Sequence, residues 1–314
     1  MQYRTLGRTG LEVSLMSYGS GGPSRLGQGT GLTDAEQEAL VRRCLDLGVN
    51  LIDSSANYGD SEEILGRCLD GVPRDAFYMA TKWSPRADGV VKTDPEDLPR
   101  SVDESLRRLG IDVIDVMQFH GVTPDIYDEV VDRHFGTMRR LQEAGKIRYV
   151  GITEMFFQDA DHSMLTRALT EHPDHWDTVM LKYGILNQYA AKETLPLAER
   201  HNVGVMNMAS VRVKLTRAEE LEALMLEWAE RGLISADALD AENPLAWLVD
   251  GPVDSVISAG YRFAADHPAI STVITGTSRI PNLETNHAAL ADPTLPDAAK
   301  ERLRELFGEL AEGA

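Results

Sequence analysis

Residues able to trade protons recur at the ends of apolar runs. Asp53 and Tyr58 stand in Asp53-Ser54-Ser55-Ala56-Asn57-Tyr58, directly after Val49-Asn50-Leu51-Ile52. Lys82 follows Tyr78-Met79-Ala80-Thr81, and His120 follows Val116-Met117-Gln118-Phe119. A tyrosine hydroxyl is a weak acid, with an ordinary pKa of about 10. A nearby ammonium or a hydrogen-bonding partner favours the phenolate and readies the group for proton transfer. Lys82 and His120 offer such partners, so Asp53, Tyr58, Lys82 and His120 form one candidate proton-transfer site.

The elements that must position these groups alternate. Short strands are predicted over 2–5 and 11–14, around a hairpin turn at Gly7-Arg8-Thr9-Gly10. Further strands are predicted over 15–19, 49–53, 76–81, 112–118, 147–152, 177–182, 203–208 and 271–275. Helices are predicted over 33–47, 60–70, 95–109, 126–144, 157–171, 189–201, 280–290 and 297–312. Thr33 with Glu36 reads as a capping box for the first of them. Eight strands separated by helices or long connections predict parallel pairing and closure into a (β/α)₈ TIM barrel with an N-terminal β-hairpin. The candidate site then lies past the carboxyl ends of three successive strands, where such barrels carry their chemistry. Residues 212–252 break the rhythm and predict an extended loop after the seventh strand, with a helical stretch around Leu221–Trp228. The expectation is one domain over residues 1–314.

Composition narrows the function classes. The 314 residues suit one barrel, which takes about 250 plus insertions. The net charge is −19, from 31 basic and 50 acidic residues, with a pI near 4.8. That balance argues against nucleic acid or an anionic membrane as partner, because both need a basic footprint. It leaves room for an anionic cofactor, which needs only a local positive site. No apolar run approaches the roughly 18 residues of a membrane span, and the N-terminus has no signal-peptide pattern. Cys44 and Cys68 show no metal-ligand spacing and read as small buried residues in a reducing compartment. The expectation is a cytoplasmic protein without a metal site; the oligomeric state stays open.

The ordered set of motifs resembles the aldo-keto reductase family over nearly the whole chain. Tyr3-Arg4-Thr5-Leu6-Gly7-Arg8-Thr9-Gly10-Leu11-Glu12-Val13-Ser14 is similar to the family's N-terminal hairpin. The Asp53-to-Tyr58 spacing and the contexts of Lys82 and His120 resemble its catalytic tetrad. Ala144 to Ile152 resembles its fifth strand, and Val273-Ile274-Thr275-Gly276-Thr277-Ser278 to Asn286 its eighth-strand cofactor segment.

The resemblance implies transfer of hydride between a nicotinamide and a small aldehyde, ketone or sugar. It makes Tyr58 the general acid or base, Lys82 the group that lowers its pKa, Asp53 the partner of Lys82, and His120 the group that orients the carbonyl oxygen and assists proton transfer. It assigns cofactor contacts to Ser20, Thr153, Glu154, Met180, Met208, Gly276, Thr277, Ser278, Arg279, Asn282 and Asn286. Thr153-Glu154 stands where the family usually has Ser-Asn. Met180 replaces a glutamine, and Met208 replaces a stacking aromatic. Arg279 would meet a 2′-phosphate, and Arg212 and Lys214 the pyrophosphate. Family habit favours NADP(H) over NAD(H), although Gly276 and Asn282 stand where many NADP-dependent relatives carry basic residues. Asn57 and Trp83, beside Tyr58 and Lys82, would line the substrate pocket. Two alternatives remain: a non-catalytic nicotinamide-binding regulatory protein, and a barrel lyase forming a Schiff base on Lys82.

Overall fold

The computed structural model describes residues 1–211, 214–235 and 244–312. Eight parallel strands close into a barrel: β3 (Met16–Gly19), β4 (Leu51–Asp53), β5 (Tyr78–Trp83), β8 (Ile114–Val122), β9 (Ile147–Glu154), β10 (Thr178–Lys182), β11 (Gly204–Met208) and β12 (Thr272–Thr275). The seam closes where β12 pairs with β3, Val273 opposite Met16 and Ile274 opposite Ser17. Residues β4 and β10 present to both faces are buried, as parallel strands under a helical layer require.

The end where the strands begin is plugged. β1 (Tyr3–Thr5) and β2 (Glu12–Ser14) pair as an antiparallel hairpin. Its Leu6, Leu11 and Val13 pack with Leu51, Ala80, Val116, Met180 and Met206 from the barrel strands. Gly7 adopts a φ of +50°, and a β-carbon there would stand 2.2 Å from the Gly204 nitrogen. Only glycine lets the plug approach β11 this closely. Asp115, a charge inside the fourth barrel strand, is buried at the same end. It accepts from Arg74 (2.5 Å), Arg148 (2.9 Å) and the Met79 amide (2.8 Å). A carboxylate with three donors is tolerated in the interior.

The helical layer starts with α1 (Asp34–Asp46), capped by Thr33 and Glu36 in the expected reciprocal pair. It continues with α2 (Ser61–Leu69) and α3 (Asp97–Leu109). A small hairpin, β6 (Arg86–Ala87) with β7 (Val90–Val91), follows β5 and has no counterpart among the predicted elements. The predicted 126–144 helix is divided into α4 (Tyr127–Val130), a wider turn over 131–135, and α5 (Gly136–Glu143). α6 (Ser163–Glu171) starts six residues later than predicted. Its start is set by Asp159, whose carboxylate accepts from the Ser163 and Met164 amides at 3.1 and 2.9 Å. α7 (Thr194–Arg200) is likewise shorter than predicted, and so is α11 (Asp297–Phe307).

After β11 come a single turn at Lys214–Thr216, α8 (Ala218–Glu230) and a further turn at Ala246–Leu248. α9 (Val256–Asp266) then packs beneath α10 (Ile280–Ala291). α9 is buried from Ser258 to Ala265 and has no counterpart among the predicted elements. Its buried Arg262 donates to the carbonyls of Pro252, Asp292 and Thr294, tying three segments together. No helix among the described residues is long and apolar enough to cross a membrane.

Candidate active site

β4 ends at Asp53, and the loop beyond it is held by its neighbours. The Ser54 amide donates to the Ala80 carbonyl (2.8 Å), and the Ala56 amide to that of Lys82 (3.3 Å). The Tyr58 amide closes onto the Ser55 carbonyl at 3.0 Å. Gln28 pins the loop from outside, donating to the Tyr58 carbonyl (3.2 Å) and accepting from the Asp60 amide (3.0 Å). Tyr58 is thus fixed at the rim of the barrel mouth by backbone contacts.

Lys82 points into the barrel from the end of β5 and is 1 % exposed. Its ammonium donates to Asp53 Oδ2 (2.5 Å) and to the Ser54 carbonyl (2.6 Å). The nitrogen lies 5.0 Å from the centre of the Tyr58 ring. Burial opposes the ammonium, but Asp53 and Tyr58 outweigh it and hold Lys82 above the ordinary lysine value. Burial raises the Asp53 carboxyl, and the contacts with Lys82 and Gln118 only partly offset this. Gln118 Nε2 stands 3.4 Å from Asp53 Oδ1.

His120, on β8, meets Tyr58 edge to face, with ring centres 5.6 Å apart and planes at 82°. Burial, with the Lys82 charge second, pushes its pKa down to about 3. The ring is therefore neutral through the physiological range. Its Nδ1 lies 3.1 Å from Ser55 Oγ. Asp53, Tyr58, Lys82 and His120 thus gather at one end of the barrel, from three adjacent strands.

A cavity of about 560 Å³ opens beside this group, with Asp53 and Tyr58 in its wall. Met180 and Met208 line it, as do Gly276, Thr277, Ser278, Arg279, Asn282 and Asn286. The Tyr18 hydroxyl donates to the Thr277 carbonyl at 2.8 Å and fixes the start of that segment. Arg279 is the N-cap of α10, whose first amides have no side-chain cap. Uncapped amides and the positive end of the helix dipole suit a phosphate. The cavity runs from the proton-transfer group to that helix end, so its walls fit a nicotinamide dinucleotide. Its other wall is Gly21-Gly22-Pro23-Ser24.

Other expected contacts lie elsewhere. The Thr153 hydroxyl accepts from the Gly121 amide at 2.8 Å. Glu154 is buried, accepting from the Lys182 amide (2.8 Å) and lying 2.7 Å from His162 Nδ1. A carboxylate in the interior takes the nearest donors, and here they are the amide at the end of β10 and His162 in the loop before α6. Ser20 is buried, and its hydroxyl donates to Ser54 Oγ (2.9 Å). Lys214 pairs with Glu220 at 3.5 Å, outside the cavity wall. Trp83 is buried on the outer face of β5, its indole donating to Asp97 at 2.8 Å. Side chains alternate along a strand, so with Lys82 inside its neighbour faces the helices. Asn57 is exposed and lies outside the cavity wall. Arg212 lies outside the described residues.

Sequence reading did not single out Ser55, Arg217, Ser255 or Tyr261, the last three of which line the cavity. Arg217, Ser255 and Tyr261 come from the long connection after β11, whose path no local pattern encodes.

The aldo/keto reductase family model matches residues 17–307. The chain belongs to the aldo/keto reductase family. As a member it is an NAD(P)-dependent oxidoreductase. It is 27% identical over 314 residues to the L-galactose dehydrogenase of Arabidopsis thaliana, covering 98% of this chain and 93% of that one. An aldo-keto reductase of Bacillus halodurans, solved in its holo form, superposes with a TM-score of 0.75. It is 23% identical, with 98% of this chain and 96% of that chain covered. That likeness shows the shared barrel.

Proposed function

We propose that this reductase interconverts a small aldehyde, ketone or sugar with its alcohol, using Tyr58 as the acid in reduction and the base in oxidation. The observation that carries the reading is the buried Lys82–Asp53 pair, 2.5 Å apart, with Tyr58 in the cavity wall beside it. The nicotinamide, when bound, supplies or accepts the hydride. Tyr58 protonates the oxygen as its carbon is reduced, and the Lys82 charge stabilises the phenolate left behind. Asp53 keeps that ammonium in place. His120, neutral beside Lys82, offers a hydrogen bond to the substrate oxygen without adding a second cation.

We further infer a preference for NADP(H). Arg279 is exposed at the cavity rim beside the uncapped start of α10, where a 2′-phosphate finds both a guanidinium and free amides. The likeness to L-galactose dehydrogenase favours a sugar or sugar-like polyol among the substrates.

The Schiff-base alternative fits poorly. A nucleophilic lysine must be neutral, whereas Lys82 is held charged and is already bonded to Asp53 and the Ser54 carbonyl. The test is turnover of a generic aldehyde with NADPH by wild type and Tyr58→Phe. Loss of turnover with retained NADPH binding supports the reading. Full activity in Tyr58→Phe sinks it, and a borohydride-trapped adduct on Lys82 would replace it.

A further inference from the structure

Ser55 is fully buried in the loop between Asp53 and Tyr58. Its hydroxyl has two hydrogen-bonding neighbours. The Asn57 amide lies 3.2 Å away and can only donate, so Ser55 Oγ accepts from it. His120 Nδ1 lies 3.1 Å away and can do either. A buried hydroxyl proton needs an acceptor. The amide cannot serve, so the proton points at Nδ1, which must then present its lone pair.

We propose that Ser55 is a positioning residue that sets the tautomer of His120, donating to Nδ1 and so leaving the single ring proton on Nε2. This rests on the reading of Asp53, Tyr58, Lys82 and His120 as the reacting group. The ring is neutral and carries only one proton, so a donor at Nδ1 determines what Nε2 can do. Nε2 becomes a hydrogen-bond donor to the substrate oxygen and cannot accept a proton from an alcohol. Oxidation then has one proton acceptor, Tyr58. Ser55 also holds Tyr58 directly, since its carbonyl takes the Tyr58 amide at 3.0 Å. One residue thereby contacts the His120 ring and the Tyr58 main chain, although it lies 65 positions from His120.

The test uses the full chain labelled with ¹⁵N-histidine. Long-range ¹H–¹⁵N spectra near neutral pH report which imidazole nitrogen carries the proton, and His120→Gln assigns the signal. Wild type is expected to show a bare Nδ1 and a protonated Nε2. In Ser55→Ala the ring is expected to shift toward the Nδ1-protonated form. There kcat falls about tenfold, the loss of one hydrogen bond's alignment, with cofactor KM unchanged. Ser55→Thr keeps the hydroxyl and is expected to restore both the tautomer and kcat. A protonated Nδ1 in wild type overturns the proposal, as does an unchanged tautomer in Ser55→Ala. Should Ser55→Ala fail to fold, the wild-type and Ser55→Thr spectra decide the matter by the same criterion. If no carbonyl compound is turned over, the reading of the site fails, while the spectra still decide the tautomer.

Discussion

Gly21 gives the Tyr58 ring its place. A β-carbon at Gly21 would stand 2.5 Å from Cε2 of Tyr58 and 2.7 Å from Cζ, the carbon that bears the hydroxyl. The Gly-rich turn after β3 is thus shaped by the tyrosine across the cavity mouth. Gly21→Ala should displace the phenol from its present place beside Lys82. A shift of about 1 Å in a reacting group costs on the order of a hundredfold in rate. The expected outcome is a kcat lowered 10- to 100-fold, on the scale of such misplacements, with a melting temperature close to wild type. Steady-state kinetics beside a thermal melt check this, and an unchanged kcat would show that the ring does not depend on the missing β-carbon.

The Asp53–Lys82 pair should show its value when only one partner is removed. Both side chains are almost completely buried, so Lys82→Met leaves a carboxylate with Gln118 as its remaining partner. Breaking a buried pair this way costs about 3–5 kcal/mol, whereas replacing both partners with apolar residues is often near neutral. Denaturant titration should therefore find Lys82→Met strongly destabilised and the double variant Asp53→Leu with Lys82→Met largely recovered. Both should be inactive. Equal stability of the single and double variants would mean that the interior accommodates a lone carboxylate here.

Much of this arrangement is legible in the chain. Asp53, Lys82 and His120 each terminate an apolar run, and the strand–helix alternation alone sends those ends to one rim. The cofactor side is less legible. Glu154 and Thr153 sit at the end of β9, where position suggests a ligand contact. The burial of Glu154 against His162 depends on an eight-residue separation bridged by an irregular loop. α9 stands between the long connection after β11 and β12, where the alternation itself calls for a helix. Trp83 is the opposite case: it adjoins Lys82 in sequence, yet strand alternation sends it to the other face.

Stability should depend on His120 with a definite sign. Unfolded, a histidine titrates near pH 6.5. Folded, His120 is held neutral down to about 3. Between those values the unfolded chain binds a proton that the folded chain refuses, so folding weakens as pH falls through that window. His120→Gln removes the linkage. Its melting temperature should fall less steeply than that of wild type between pH 6.5 and 4, inside the window set by the two values. Buried His162, whose pKa is raised as Glu154 outweighs the burial that opposes its charge, contributes with the opposite sign. It is common to both proteins and cancels in the comparison. Parallel pH profiles would mean that His120 protonates freely in the folded state.

Cofactor choice should turn on Arg279. The residue is exposed at the start of α10, and its amide is fixed by Thr277 Oγ1 at 3.1 Å. A guanidinium placed there would meet a 2′-phosphate through charge-assisted hydrogen bonds, each stabilising by about 1.5–3 kcal/mol. NADH lacks that phosphate and on this reading would gain nothing from the guanidinium. Arg279→Ala should therefore weaken NADPH binding about 10- to 100-fold, the equivalent of one such contact, and leave NADH binding almost unchanged. Nicotinamide fluorescence titrations at constant ionic strength measure both, because the charge contribution is screened by salt. Equal loss for the two cofactors would move Arg279 to the pyrophosphate they share. No loss for either would take the guanidinium out of cofactor recognition and leave the uncapped amides of α10 as the anion site.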